Sequence, residues 1–390
     1  MKPPSVIPYG RQSLTDADIK AVSDVLRSDF LTQGPVVPAF ESAVAAYCQV
    51  DHAVAANSAT SALHIACMAL NLGPGDSLWT SPITFVASAN CALYCGASVD
   101  FVDINPVTRN LCPLALEAKL RQAKTEGKLP KIVVPVHFSG LPCDMEAIYS
   151  LSQMYGFRII EDASHAIGAQ LNGESIGNCR YSDITVFSFH PVKIITTGEG
   201  GMATTRDPKL AEQMRRLRSH GIVRDVADMS ACDGPWYYEQ QSLGYNYRMT
   251  DIQAALGLSQ LTRLDTVIQN RERLADRYDE RLGDLPCKRP ARLPTAKSAW
   301  HLYVIEWDEE QNGCSRRELF DALRNAGIGV NVHYIPVYRQ PYYARLGDRR
   351  TEFDHSEHYY ASAITLPLFP ALSNEEQDRV IEALYQAIRS

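Results

Sequence analysis

The chain has 390 residues, enough for a sizeable core and two domains. It is 45% hydrophobic and 21% charged, with a net charge of −7, the make-up of an ordinary soluble globular protein. No basic block stands out, which argues against nucleic-acid binding, and no apolar run approaches the roughly 18 residues a membrane span needs.

Met1 to Arg11 lacks the apolar stretch of a secretory signal. Ten cysteines stand singly, with no Cys-x-x-Cys pair, so reduced thiols and a cytoplasmic location are expected. Cys91 and Cys95 are four apart on an expected helix. No His or carboxylate lies near them at ligand spacing, so they count as small packed hydrophobes and no metal site is expected. Arg215, Arg216 and Arg218 form the longest basic cluster, which fits a solvated helix face.

From about residue 50 to 205, short apolar runs alternate with helical segments. "HAVAANSAT" predicts a strand and a turn, and Ser61–Leu72 a helix. "DSLWTSP" predicts a strand, and Phe85–Tyr94 a helix. "SVDFVDI" is followed by a helix through Leu114–Gln122, and "KIVVPVHF" by one across Met145–Tyr155. "FRIIEDA", "DITVFSF" and "GGMATT" complete the strands. This alternation predicts an α/β fold: a mostly parallel sheet, helices on both faces, and ligands at the carboxyl ends of its strands. From Thr250, apolar residues Ile252, Leu256, Leu264, Ile268, Leu274 and Tyr278 predict one long helix. Beyond it come a strand at "HLYVIEW", a helix over Arg316–Asn325, a strand around "GVNVHY" and a helix from Asn374 to Ile388. The expected division is a large domain over 1–250 with an N-terminal arm, a linking helix over 251–285, and a small α+β domain over 286–390.

The chemistry concentrates at strand ends. Lys193 lies in "FSFHPVKIITTGEGG", just past a strand and before a turn whose glycines let the backbone approach a ligand. A lysine held away from bulk water can lose its proton and act as a nucleophile, although a surface lysine beside a hairpin also fits the pattern. Asp162 ends "FRIIED". It suits either an N-cap or a partner for a pyridinium nitrogen, with His165 three residues on to orient it. "NSATSALH" places Ser58, Ala59, Thr60 and Ser61 at a helix start, where unpaired N–H groups favour a dianionic phosphate. Phe85 opens the next helix and can stack on an aromatic ring or fill a core.

These elements come in one order: phosphate cup, aromatic, aspartate at a strand end, then Ser-x-x-x-x-Lys with a glycine-rich exit. In that combination the chain resembles the fold type I sugar aminotransferases of the DegT/DnrJ family, over essentially its whole length. The markers are "NSATSALH", "SPITFVASAN", "EDASHAIGA", "FSFHPVKIITTGEGG", "RSHGI" and "LGYNYRMTDIQAALGLSQL". The resemblance implies pyridoxal phosphate carried by Lys193, which also shuttles protons. It implies Asp162 on the pyridine nitrogen, Phe85 stacked on the ring, and Ser188 with the 58–60 turn on the phosphate. Asn246 is implied to reach the cofactor of a neighbouring subunit, and hence a homodimer with its active site at the interface. Relatives with histidine in place of this lysine dehydrate sugars; here the lysine is present.

Within the family the likeness is to the branch that makes pseudaminic acid. That branch aminates the C4 keto group of a UDP-linked 4-keto-6-deoxy-N-acetyl-altrosamine, with L-glutamate as donor. "IPYGRQSLT", "SDFLTQGP" and "NVHYIPVYRQPYY" support it. By this likeness the substrate contacts are Tyr9, Asp29, Phe30, Leu31, Thr32, Asn331, Val332, His333, Tyr334 and Tyr343. In "VHYIP" a plain strand-to-turn boundary explains the pattern as well. Three other functions compete. A nicotinamide-dependent epimerase or dehydratase calls for Gly-x-Gly-x-x-Gly after the first strand, where "NSATSA" stands instead. A non-catalytic ligand-sensing relative loses Lys193 or Asp162 more readily than an enzyme does. An aminotransferase for another keto sugar, such as a UDP-4-keto-pentose, differs little in sequence.

Overall fold

The computed structural model describes residues 6–345, 347 and 349–389; Met1–Ser5 of the N-terminal segment lie outside the described residues. Two helices precede the first strand: α1 (Asp16–Leu26), closed by a Thr15–Asp18 capping box, and α2 (Val36–Cys48). The sheet strands are β1 (His52–Ala56), β2 (Ser77–Thr80), β3 (Ser98–Phe101), β4 (Ile132–Val134), β5 (Arg158–Asp162), β6 (Ile184–Ser188) and β7 (Gly201–Thr205). They form one seven-stranded sheet in the order β1-β7-β6-β5-β4-β2-β3. Pairing through β6-β5-β4-β2-β3 is parallel, and β7 runs antiparallel to both of its neighbours. The mostly parallel sheet expected from the alternation is therefore present, with one reversed strand.

Strand alternation sends neighbouring residues to opposite faces. Val54 and Ala56 of β1 and Val186 of β6 join α3 (Ala59–Ala69), α4 (Ala87–Tyr94) and α7 (Pro208–Leu217) in one core. Ala53, Ala55 and Phe187 join α2 and α8 (Asp251–Leu261) in the other. Because both faces are covered, the central strands β4, β6 and β7 are buried along their whole length, as parallel sheets require. Helices α5 (Pro113–Glu126) and α6 (Met145–Tyr155) pack over β2, β4 and β5.

The single long helix expected from Thr250 is broken in two. After α8, Thr262 turns its hydroxyl onto the Ser259 carbonyl at 2.7 Å, and Arg263 leaves the helical region to bond Asp18. A threonine bonding back to the backbone competes with the helical ladder. Then α9 (Leu264–Arg281) begins. Leu264 and Ile268 still pack in the core that covers one face of the seven-stranded sheet, while Leu274 and Tyr278 pack in a core of C-terminal elements. That second core gathers the strand Tyr303–Trp307, its antiparallel partner Ala363–Leu366 and the helices Arg316–Asn325 and Asn374–Arg389. The strand expected around "GVNVHY" does not form. Asn331 makes one isolated bridge to Thr365, and its side chain takes the Val332 N–H at 2.8 Å, which turns the chain away from the sheet.

Candidate active site

At the carboxyl ends of β1, β5 and β6 lies a cavity of about 860 Å3. The segment 331–335 and Tyr9 close it from the C-terminal side. Open α/β sheets place ligands in this position.

One wall is the start of α3. Ser58 is its N-cap and accepts the Ser61 N–H at 3.1 Å, while Ser61 Oγ donates to Asn57 Oδ1 at 2.6 Å. The first N–H groups, on Ala59 and Thr60, have no carbonyl one turn back to meet, so they present a positive rim. A Cβ on Gly201 would stand 2.5 Å from the Ser58 carbonyl and the Ala59 nitrogen. Only glycine lets β7 press against this helix start. Ser188 ends β6 directly opposite Gly201 and completes the cup.

Lys193 stands on the turn after β6, its N–H bonded to the His190 carbonyl at 2.9 Å. Its amine opens onto the cavity but is packed by protein, and that burial lowers its pKa to about 8 against the pull of Asp162. At the far end of β5 the two acidic residues separate by alternation. Glu161 points away from the cavity to His137 at 2.7 Å, and to Ser182 and Thr185. Burial pushes its carboxyl upward, but these bonds together outweigh burial and hold it below the ordinary value. Asp162 points into the cavity. Its Oδ2 accepts from Ser88 Oγ at 2.6 Å and its Oδ1 from the Ser164 N–H at 3.1 Å, so both oxygens are fixed. Phe85 lines the same cavity with 59% of its surface exposed, an aromatic ring with an open face.

Three imidazoles and two phenols finish the wall. His165 and His301 pack with ring centroids 4.4 Å apart, their planes tilted by 39°. Burial first, then nearby positive charge including Lys193, keeps both far below the ordinary imidazole value. His333 is pushed down to about 3 by burial and Lys193, and bonds Thr365 Oγ1 at 2.8 Å. Tyr334 and Tyr9 sit beside it, and burial raises both phenols.

Of the candidate site residues singled out in the sequence, fourteen line this cavity: Tyr9, Ser58, Ala59, Thr60, Ser61, Phe85, Asp162, His165, Ser188, Lys193, Asn331, Val332, His333 and Tyr334. Six do not. Asp29, Phe30, Leu31 and Thr32 are exposed, held by a Thr32–Thr250 bridge and the Leu31 carbonyl on Asp251. Asn246 bridges Ser219 outside the cavity. Tyr343 is buried among Phe101, Tyr338 and Phe353 and donates to Asn90 Oδ1 at 2.6 Å, a packing role within this chain. Sequence reasoning missed Ser164 and Glu199, which lie close along the chain to Asp162 and Lys193, and Ser88 and His301, which join the site only through the tertiary fold. Among the described residues no helix is long and apolar enough to cross a membrane.

Residues 12–385 match the model of the DegT/DnrJ/EryC1/StrS aminotransferase family. The chain is 40% identical over 386 residues to the spore coat polysaccharide biosynthesis protein SpsC of Bacillus subtilis, covering 98% of this chain and 97% of that one. Its structure superposes on Helicobacter pylori PseC, an aminotransferase of pseudaminic acid biosynthesis, with a TM-score of 0.88 and 32% identity, covering 99% of this chain and 100% of that one. The PMP form of the sugar aminotransferase Spr1654 from Streptococcus pneumoniae gives a TM-score of 0.89 at 32% identity, covering 98% and 99%. The chain belongs to the DegT/DnrJ/EryC1/StrS aminotransferase family, the fold type I sugar aminotransferases that work with pyridoxal phosphate.

Proposed function

We propose that the protein transfers the amino group of L-glutamate to the C4 keto group of a UDP-linked 4-keto-6-deoxy-N-acetyl sugar, in the manner of pseudaminic acid biosynthesis. The observation that carries the reading is convergence: an amine of lowered pKa, a doubly bonded carboxylate, an open aromatic face and a helix N-terminus share one cavity. The likeness to PseC supports the sugar.

The residues fit pyridoxal phosphate. The Ala59 and Thr60 N–H groups, with Ser58 and Ser188, suit its dianionic phosphate, and the close approach allowed by Gly201 shapes the cup. Asp162 suits a protonated ring nitrogen and Phe85 the ring face. Bound there, the cofactor supplies an aldehyde carbon that can exchange its amine partner and a ring that accepts an electron pair.

The chain's own part follows from its geometry. With a pKa of about 8, the Lys193 amine is readily freed of its proton at neutral pH. A neutral amine can take a proton from one carbon and return it to another. Asp162, fixed by Ser88 and Ser164, presents its carboxyl oxygens on the side where a ring nitrogen would sit. Tyr9, Asn331, His333 and Tyr334 form the wall against which a keto sugar is oriented, and glutamate and the sugar occupy the cavity in turn. On the family resemblance we place Asn246 at the partner's cofactor in a homodimer; within its own chain it bridges Ser219 outside the cavity.

The test is a panel of UDP-linked keto sugars with L-glutamate, read by product mass. The altrosamine precursor should gain an amino group. No product from it, with product from another keto sugar such as a UDP-4-keto-pentose, moves the assignment within the family.

A further inference from the structure

We propose that His165 and Tyr334 form a positioning pair that aims the Tyr334 hydroxyl hydrogen at an acceptor oxygen held in the cavity beside Lys193. This inference rests on the aminotransferase reading above.

The argument starts from a tautomer. The Ser139 backbone N–H points at His165 Nδ1 from 3.3 Å. A backbone N–H can only donate, so Nδ1 holds its lone pair. A neutral imidazole then carries its proton on Nε2. His165 is 4% exposed and faces Lys193 and His333, which oppose a second proton. His165 Nε2 lies 3.2 Å from Tyr334 Oη. The Nε2–H therefore donates, and the tyrosine oxygen accepts.

The consequence falls on Tyr334. Its own hydrogen cannot point back at His165, which has a hydrogen there already. Among the described residues no acceptor takes it. The ring is held by Phe138, Phe85 and His333, and it lines the cavity with Asp162 and Lys193. A buried phenol keeps its hydrogen, so the group is a donor waiting for an acceptor.

The fold builds this arrangement from one turn. Phe138–Gly140 brings Ser139 into the left-handed region at φ 60°, and Gly140 has φ 98°. A Cβ on Gly140 would stand 2.9 Å from the His165 carbonyl and from the Trp300 nitrogen. The same Ser139 takes the His301 N–H on its carbonyl at 2.9 Å. One turn thus sets His165 through Ser139 N–H and packs His301 against it. The groups facing the pair are Lys193, His333, His301, Asp162 and Tyr9.

The acceptor is an oxygen with free lone pairs close to the reacting carbon. The phenolic oxygen on the cofactor ring and the carbonyl oxygen of the keto sugar both meet that description. The experiment compares wild type, Tyr334→Phe, His165→Leu, His165→Gln and the Tyr334→Phe/His165→Leu double variant, each loaded with pyridoxal phosphate. Each half-reaction is followed in a single turnover, and the cofactor absorbance is titrated with pH in the absence of substrate. Tyr334→Phe should slow turnover about tenfold, His165→Leu should match it within about threefold, and the double variant should be no slower than either, as coupled residues behave. His165→Gln, which keeps an N–H donor, should recover to within about threefold of wild type. A loss confined to the keto-sugar half-reaction assigns the substrate carbonyl, and a shifted pH titration assigns the cofactor oxygen; both support the pair. Additive losses in the double variant, or wild-type behaviour of Tyr334→Phe in every readout, overturn it. A wild-type protein that fails to bind the cofactor overturns the aminotransferase reading instead.

Discussion

Ser88 Oγ donates to Asp162 Oδ2 at 2.6 Å, although the two residues lie 74 positions apart. The same hydroxyl meets Thr84 Oγ1 at 2.8 Å, so a serine in the first turn of α4 is steered onto a carboxylate at the end of β5. A hydrogen bond to a charged group contributes about 1.5–3 kcal/mol. Ser88→Ala should therefore lower kcat/KM by about 10- to 100-fold with the fold intact, measured by steady-state kinetics beside circular dichroism.

Two glycines near the cavity separate close approach from backbone conformation. A Cβ on Gly201 would strike the Ser58 carbonyl and Ala59 nitrogen at 2.5 Å, and neither backbone atom can swing aside. Gly201→Ala should weaken cofactor binding about tenfold or more, through strain of about 1–3 kcal/mol placed on the phosphate cup. Gly198, at φ 83°, has open space where its Cβ would go. Gly198→Ala should cost about 1–2 kcal/mol of stability, with a smaller effect on affinity. Titration with pyridoxal phosphate, followed by tryptophan fluorescence, distinguishes the two.

The Lys193 amine makes stability depend on pH in a definite direction. Its pKa falls from 10.5 to about 8 in the folded chain because burial opposes the ammonium. Below about pH 8 the folded state holds a buried charge that the unfolded state keeps in water. Between about 8 and 10.5 the unfolded state binds more protons, so this penalty fades as pH rises. Lys193→Met should thus stabilise the cofactor-free chain most below pH 8, with the advantage shrinking toward pH 10.5. Urea denaturation across that range measures it, and an advantage that grows with pH would contradict the assignment.

Arg271 is 1% exposed and spends its guanidinium on three carbonyls, those of Trp300, His301 and Leu368. Burial lowers it to about 9. It fastens α9 to the segment that carries His301 into the cavity wall. Arg271→Met leaves those carbonyls without this donor and should cost about 2–4 kcal/mol, read as a lowered urea midpoint.

Much of this was legible in the sequence because the signals were local. Strand-and-helix alternation predicted the sheet, and with it Ser58 at a helix start, Asp162 at a strand end and Lys193 just past a strand; Ser188 came from the family resemblance. Tertiary chemistry hid the rest. Nothing in "VASAN" says that Ser88 will face Asp162, since that contact depends on how α4 lies across the sheet. The long helix failed at Thr262 because one hydroxyl competes with the ladder. The strand at "GVNVHY" failed because Asn331 bonds its own neighbour. Tyr343 shares the aromatic pattern of Tyr334, but packing against Phe101 and Phe353 draws it into a separate core.

The central claim, that Lys193 carries pyridoxal phosphate and uses it for amino transfer, is tested most directly by an absorption spectrum. The purified chain is mixed with pyridoxal phosphate and scanned before and after L-glutamate, beside Lys193→Ala. The account predicts a yellow band in wild type that glutamate bleaches, and no lysine-linked band in the variant. A wild-type chain without the band, or a variant that keeps it, would contradict the account.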